Sequence, residues 1–205
     1  MTYIIQSKHL GIKPFKTKDI SQKYIDWLNC SEINRFLEVR FTKWTRESCE
    51  KYIESSYGNN RYLFGLYDKT SSEQIGNASV YDISMHHSTF NFGILIGNKN
   101  YWGGTVGLQA SFMMLYIGFE VLNLRKFSGG CYASQIASQL ILKQLGMKLE
   151  ARIPEQFIFE GKAVDQVLYG ITADKWKEKL PALIKKHEIS CQKRLFKGVY
   201  SSKNQ

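Results

Sequence analysis

The chain has 205 residues, a length typical of a single domain with a sizeable core. Hydrophobic residues make up 43% and charged residues 22%, which excludes a disordered or low-complexity chain. The formal net charge is +10, but residues 175–205 hold nine Lys or Arg against two acids, so most of the excess lies there. Aromatic residues are not interleaved with these basic ones as a stacking surface requires, so the charge does not favour nucleic-acid binding.

The four cysteines are scattered along the chain without a close pair, which suits neither a zinc site nor a disulfide framework. The first residues lack a basic region followed by an apolar core, and no apolar run approaches the ~20 residues that span a bilayer. We therefore expect a cytoplasmic protein with free thiols, no metal and no membrane span.

The first third of the chain predicts one strand and two helices. Residues 9–15 are typical of a short strand, and helices are expected over about residues 19–30 and 45–57. Between the helices, residues 34–41 mix aromatic side chains with paired charges and have no clean period. Such a segment is either a packed connection or a loop that faces a substrate.

Three strands are predicted next, over residues 62–67, 74–83 and 90–97. The first two form a hairpin about the turn at residues 68–73. The third strand alternates, with one face made by the apolar side chains of Phe90, Phe92, Ile94 and Ile96.

A glycine-rich turn follows this strand and leads into a long helix. Apolar residues at positions 108, 112, 115, 119 and 122 predict an amphipathic helix with one buried face. Gly103, Gly104 and Gly107 let the backbone approach a ligand, and the free N–H groups of a helix start favour a phosphate. The alternative is a tight turn without a ligand, because short glycine patterns are common and neither the nucleotide-hydrolase loop nor the dinucleotide fingerprint is present.

The remaining residues complete an α+β pattern. A strand over residues 126–132 precedes a short helix from about residue 136, and a hairpin joins residues 147–159 to 162–172. A C-terminal helix starts at Asp174. We interpret the chain as a mixed sheet flanked by helices, with a domain over residues 1–174 and a basic helix and tail over 175–205.

This order of elements, together with several short motifs, resembles the GNAT acetyltransferases, and within them the RimJ/RimL branch of N-terminal acetyltransferases. The likeness covers about residues 9–172. Its motifs are Ile75-Gly76-Asn77, Gly93-Ile94-Leu95-Ile96-Gly97, Tyr101-Trp102-Gly103, residues 119–126, Ala137-Ser138 followed by Leu145-Gly146-Met147, and Phe159-Glu160-Gly161-Lys162. Residues 34–41 with His86-His87 are also similar to a subgroup associated with surface-sugar biosynthesis.

The resemblance implies a mixed, mostly antiparallel sheet whose fourth and fifth predicted strands splay apart to admit the pantetheine arm of acetyl-CoA. The backbone of Ile94, Leu95 and Ile96 would then bind the pantetheine amides, as an added strand would. A main-chain N–H near Leu95 would also stabilise the charge that develops on the acetyl oxygen. The residues implied around the rest of the cofactor are Trp102, Gly103, Gly104, Thr105, Val106, Gly107 and Leu108 at the pyrophosphate, with Gln135 and Ser138 on the far side of the arm.

Four positions depart from the family pattern. Thr105 replaces the middle glycine of the turn, and its Cβ would crowd a phosphate if the position needs a positive φ. Gln135 stands where the branch carries Asn. Leu140 and Ile141 leave the short helix without the tyrosine that many relatives use as a general acid.

Three residues are candidates for the base that deprotonates an acceptor amine, and each has an alternative role. His87 carries the imidazole that most often serves as a general base, but it lies in a predicted turn and could be only a turn residue. Asp82 ends a strand, and its alternative role is that of a solvated carboxylate. Glu38 lies in the segment 34–41, and its alternative role is a surface ion pair with Arg40. Tyr132 is either an acid or a core tyrosine. Asn91 cannot act as a base, although relatives often carry an acid there.

Arg40, Phe41 and Tyr81 are predicted to contact the acceptor, since the planar fork of Arg40 suits a phosphate. The expected function is acetyl-CoA-dependent acetylation of a primary amine, with a nucleotide-linked amino sugar as the favoured acceptor. A protein N-terminus is the alternative acceptor, and a CoA-binding module without turnover is the alternative function. A homodimer is one oligomeric state compatible with this sequence.

Overall fold

The computed structural model describes residues 2–56 and 60–192. Its helices are α1 (Gln22–Asn29), α2 (Ser31–Asn34), α3 (Arg46–Ser56), α4 (Val106–Tyr116), α5 (Ile136–Gln144) and α6 (Ala173–His187). Its strands are β1 (Ile5–Gln6), β2 (Leu10–Pro14), β3 (Tyr62–Asp68), β4 (Gln74–Ser84), β5 (Thr89–Ile96), β6 (Lys126–Tyr132), β7 (Lys148–Phe159), β8 (Lys162–Thr172) and β9 (Ser190–Cys191).

Within these residues the strands form one sheet in the order β7-β8-β6-β5-β4-β3-β2-β1-β9. Every neighbouring pair is antiparallel except β5 and β6, which run parallel. The predicted fold class, a mixed and mostly antiparallel sheet flanked by helices, is therefore confirmed. No helix in the described part of the chain combines the length and the apolar composition that crossing a bilayer requires.

The sheet carries helices on both faces, and the alternation of β5 separates two cores. Phe90 points into the larger core, which α4, α5 and α6 cover, while Leu95 points into a smaller core with Trp27 of α1 and Ile53 of α3. The remaining apolar residues of β5, at positions 92, 94 and 96, pack against the larger core. The predicted alternation of this strand is therefore confirmed.

Helix α4 differs from its prediction. Every residue from Leu108 to Leu115 is buried, so the helix has no solvated face, and it continues as a π-helical turn over Ile117–Val121. The amphipathic interpretation was wrong because small and polar residues such as Gln109 and Ser111 are buried too. Gln109 accepts a hydrogen bond from the Ser7 hydroxyl at 3.0 Å, and the Ser111 hydroxyl donates to the Gly107 carbonyl at 2.8 Å.

Helix α6 is part of the larger core. Trp176 is 0% exposed, and its Nε1 donates a hydrogen bond to Glu120 Oε1 at 3.1 Å. The boundary predicted between residues 174 and 175 therefore crosses a packed core. Residues 193–205, the rest of the predicted basic tail, lie outside the described residues.

The edge of the sheet beyond β2 was not predicted. The short strand β1 pairs with β2 on one side and with β9 on the other, through Ile5 opposite Cys191. Ile189, just before β9, is buried in the larger core. The segment after α6 thus completes the sheet beside the first strand of the described chain.

Candidate active site

The site is built around a gap between β5 and β6. These two strands pair at only two positions, Thr89 with Lys126 and Phe90 with Phe127. Because the strands are parallel, the pairing is confined to their N-terminal ends and the gap opens toward their C-terminal ends. The strands thus separate at the predicted place, leaving residues 91–96 of β5 without a strand partner on that side among the described residues.

Asn91 lies where the strands begin to separate. Its Oδ1 accepts a hydrogen bond from the Phe92 N–H at 2.8 Å, a donor that faces β6. The same oxygen would clash with a Cβ built at Gly129, so a side chain at that residue would require Asn91 to move. Asn91 therefore fills the point where the strands separate and satisfies a donor that a continued ladder would have used.

The register of β4 and β5 decides which backbone groups face the gap. The Gly97 N–H donates to the Ile75 carbonyl in β4 at 2.9 Å, and hydrogen-bonded positions alternate along an antiparallel strand. The backbone N–H and carbonyl groups of Ile94 and Ile96 therefore point toward the gap, whereas those of Leu95 point toward β4. The predicted contacts of Ile94 and Ile96 with pantetheine agree with this register, but the predicted role of the Leu95 N–H does not.

In the turn after β5, the residue with a positive φ is Gly103, at +73°. Thr105 has φ −85° and serves as the N-cap residue of α4, so the crowding expected at this threonine does not arise. No heavy atom lies within 4 Å of a Cβ built at Gly103 or Gly104. With the first N–H groups of α4 beyond it, the turn is an open cradle of the size and polarity that suit a pyrophosphate.

Helix α5 forms the opposite wall. A Cβ at Gly107 in the first turn of α4 would stand 3.2 Å from Ile141 Cδ1, so the two helices touch where residue 107 has no side chain. Gln135 is the N-cap residue of α5 and Ser138 lies in its first turn. Leu140, one of the two residues that leave this helix without a tyrosine, is 53% exposed. The predicted cofactor residues thus lie on two sides of one gap, and their contacts with CoA stay a prediction.

A polar network lies on the other face of the sheet, at the open end of the gap. The Tyr132 hydroxyl at the end of β6 donates to Glu38 Oε1 at 2.7 Å and accepts from Arg40 Nη2 at 2.8 Å. Burial, and then the hydrogen bond to Glu38, raises the pKa of Tyr132 to about 12. The phenol is therefore a neutral donor fixed between a carboxylate and a guanidinium.

Aromatic stacking joins the segment 35–41 to the β7–β8 hairpin around this network. Phe36 stacks on Phe159 with ring centroids 4.8 Å apart, and Arg35 pairs with Glu160 at 2.7 Å. Phe41 is 69% exposed. The segment that was predicted to be irregular holds the end of α2 and a 3₁₀ turn over Glu38–Phe41, which places Glu38 and Arg40 against Tyr132.

Tyr81 in β4 extends the same face. Its ring lies over β5, with Cε1 3.3 Å from a Cβ built at Gly93, and the Arg61 guanidinium stands 4.8 Å from its ring centroid. Burial raises the pKa of Tyr81, and the neighbouring Asp82 adds to this shift. Asp82 itself is exposed and has φ +50° at an irregularity in the β4–β5 pairing.

His87 lies at the other end of β5. It is exposed in the turn before the strand, where β5 and β6 are still paired, and its carbonyl accepts from Arg125 Nη2 at 3.4 Å. This position favours the turn interpretation. Of the three candidate bases, Glu38 is the one that belongs to the network at the open end of the gap.

Tyr132 is the residue that sequence reasoning weighed and set aside as a core tyrosine. It is 3% exposed, but its hydroxyl reaches the surface network. The lack of a tyrosine in α5 was one reason for the alternative of a CoA-binding module without turnover, and nothing in the sequence pairs residue 132 with residue 38. Within the described residues no group of three or more His, Cys, Asp or Glu could hold a metal ion.

Sequence comparison gives the family. The profile described as Acetyltransferase (GNAT) domain matches residues 9–148. The chain belongs to the GNAT family. It is therefore an acyltransferase, an acetyl-CoA-dependent N-acetyltransferase, and the sequence prediction of this activity is confirmed.

Relatives of this GNAT protein span most of its length. An uncharacterized N-acetyltransferase, YnaD, of Bacillus subtilis (strain 168) is 23% identical over 172 residues, which are 84% of this chain and 98% of that protein. A GNAT-family acetyltransferase from Bacillus anthracis superposes with a TM-score of 0.70 at 17% identity, covering 83% of this chain and 98% of the other. Spermidine N-acetyltransferase from Vibrio cholerae, solved with CoA and spermine, superposes with a TM-score of 0.74 at 18% identity, covering 82% of this chain and 98% of the other.

Proposed function

We propose that this GNAT enzyme acetylates the primary amine of a small polar acceptor, and that Glu38 takes up the proton of that amine. The observation that carries the proposal is the network of Glu38, Tyr132 and Arg40 at the open end of the gap. A nucleotide-linked amino sugar is the favoured acceptor. The RimJ/RimL likeness stays a prediction and makes a protein N-terminus the alternative.

The residues around the gap fit CoA. The open cradle at Gly103 and Gly104 and the start of α4 would hold the pyrophosphate. The backbone groups of Ile94 and the N–H of Ile96 would bind the pantetheine amides, while the Ile96 carbonyl accepts a hydrogen bond from Trp102 Nε1 at 2.8 Å. When bound, acetyl-CoA supplies the activated acetyl group. The cofactor is then expected between α4 and α5, with the acceptor on the opposite face of the sheet.

Glu38 is accessible to an acceptor amine. It is exposed, so an acceptor can reach it, and only one of its oxygens is engaged by Tyr132. A carboxylate has capacity for several donors, so an ammonium can bind beside the phenol and pass its proton to the carboxylate. Tyr132 and Arg40 act as positioning residues because they fix this carboxylate at the gap.

The charges on the acceptor face favour an acceptor of mixed charge over a polycation. The V. cholerae relative is a spermidine acetyltransferase, and a polyamine is best held by an excess of carboxylates. Here the cations and anions are balanced, since the face carries Arg35, Arg40, Arg61, Glu38, Asp82 and Glu160. An amine that carries an anionic group elsewhere in the molecule complements such a surface.

The test is an acceptor screen with the purified full chain. Release of free CoA from acetyl-CoA is measured with an amino-sugar nucleotide, with spermidine and with a peptide that has a free N-terminus. Glu38→Gln should lower kcat on the preferred acceptor by about 10²–10⁴, the range for general base catalysis, while CoA affinity by calorimetry stays unchanged. Glu47→Gln, an exposed carboxylate paired with Lys51 on α3, is the matched control.

Three results would contradict the proposal. Full turnover by Glu38→Gln would exclude Glu38 as the base. Preference for spermidine would overturn the argument from charge balance, and preference for the peptide would transfer the function to N-terminal acetylation.

A further inference from the structure

A cavity of about 250 Å³ opens on the acceptor face beside Tyr81, outside the network described above. We call it the α3 cavity. It is lined by Tyr52, Ser55, Ser56, Asn60, Arg61 and Asp82. The lining combines the guanidinium of Arg61, the carboxylate of Asp82, the uncharged polar side chains of two serines and one asparagine, and the phenol of Tyr52.

Arg61 is held in place within this cavity. Its Nη1 donates to the Tyr52 hydroxyl at 2.6 Å, and its guanidinium stands 5.5 Å from the ring centroid of Tyr52 and 4.8 Å from that of Tyr81. Among the described residues it forms no ion pair within 4.0 Å, with Asp82 or with any other acid. A fixed guanidinium that is not engaged in a close ion pair presents a planar set of donors that matches two oxygens of a phosphate.

The other polar groups of the cavity suit hydroxyl groups. Asp82 accepts hydrogen bonds, while the amide of Asn60 both donates and accepts. Asp82 is held at φ +50°, a conformation that non-glycine residues rarely adopt, and it carries the carboxylate into the lining. Such a set of polar groups suits the hydroxyls of a sugar.

The register of the sheet connects the cavity to the gap. Tyr62 pairs with Val80, so Arg61 stands opposite Tyr81, and Tyr81 pairs with Asn91 where β5 and β6 separate. Arg61 thus lies two strand spacings, roughly 10 Å, from Asn91, about the length of a sugar joined to a diphosphate. The charges of Glu38 and Arg61 both act on the pKa of Tyr81, so both lie near this side chain. One ligand that passes the Tyr81 side chain can therefore approach both Glu38 and the α3 cavity.

We propose that the α3 cavity is a distal subsite of the acceptor site, in which Arg61 binds a phosphate or diphosphate and the neighbouring polar groups bind the attached hydroxyls. This inference rests on the proposed function, because it names the part of the acceptor that lies away from the amine. It makes Arg61 a residue that determines acceptor specificity.

The probe is uridine diphosphate, titrated by calorimetry into the full chain that has first been saturated with CoA. Saturation prevents the diphosphate from occupying the cradle at the start of α4. Arg61→Gln should weaken the binding of uridine diphosphate by at least about tenfold, as expected for loss of a charge-assisted contact. Lys51→Gln is the control, since it removes one exposed cation from α3, the helix that contributes Tyr52, Ser55 and Ser56 to the cavity.

We expect the wild-type chain to bind uridine diphosphate but not uridine. Lys51→Gln should retain the affinity for uridine diphosphate and Arg61→Gln should lose it, while the CoA affinity and the melting temperature of both variants stay unchanged. Arg61→Lys keeps the charge without the fork and should be intermediate. The proposal would be overturned if Arg61→Gln and Lys51→Gln bound uridine diphosphate with equal affinity. It would also be overturned if the wild-type chain bound uridine and uridine diphosphate equally well. Failure of the wild-type chain to bind CoA would refute the proposed function instead, and an Arg61-dependent affinity for the diphosphate would still support the subsite.

Discussion

Replacement of Trp176 tests whether α6 belongs to the catalytic domain. The side chain is fully buried, its ring centroid is 5.1 Å from that of Phe112 and 5.6 Å from that of Phe119, and its Nε1 binds Glu120. Truncation of a buried tryptophan to alanine costs about 3–5 kcal/mol, so Trp176→Ala should lower the free energy of unfolding by about 4 kcal/mol. For a domain of this size the melting temperature should fall by roughly 8–16 °C.

The assay is urea denaturation followed by circular dichroism, with Trp102→Ala as the control. Trp102 is 42% exposed and donates one hydrogen bond, to the Ile96 carbonyl at 2.8 Å, so its loss should cost about 1 kcal/mol. If Trp176→Ala does not fold, Trp176→Phe keeps a ring and should still cost more than the control. A cost for Trp176→Ala below about 1.5 kcal/mol, or equal to the control, would refute the reasoning that α6 completes the core.

Two further predictions concern His187 and Thr105. Burial, and then Lys186, lowers the pKa of His187, so the unfolded chain takes up this proton first and stability should be lost as the pH falls below about 6.5. His187→Leu should therefore show a smaller drop in the free energy of unfolding between about pH 7.5 and about pH 5.5 in urea titrations; an unchanged drop would contradict the assignment. Because Thr105 has φ −85°, Thr105→Gly should not tighten CoA binding measured by calorimetry, and a large gain in affinity would show that the threonine crowds the cofactor after all.

The local patterns of the chain predicted most of the fold. The alternation of residues 90–96 and the glycines after them located the strand and the turn, because both depend on the properties of neighbouring residues. The likeness to the family placed the opening between the two strands. Pairing of β1 with β9 was missed, since each strand has only two residues and neither has a period of its own.

The errors at the site arise from geometry that residue types do not encode. The family pattern drew attention to Thr105, but the positive φ falls two residues earlier, at Gly103. Leu95 was chosen from its place in the strand, whereas the direction of its N–H depends on register with β4. Glu38 and Tyr132 are 94 residues apart in sequence, so their hydrogen bond follows only from the folded chain.

The pairing of β1 with β9 has a consequence for synthesis of the protein. Ile5 is synthesised long before its partner Cys191, so the outer edge of the sheet cannot close until translation has passed residue 191. Until then β1, which pairs with β2 on its other side, presents an unpaired outer edge that can recruit another nascent chain. Slow translation of the codons that lead up to residue 191 should therefore prolong the period in which this edge is exposed, and aggregation during expression should respond to codon choice there more than elsewhere.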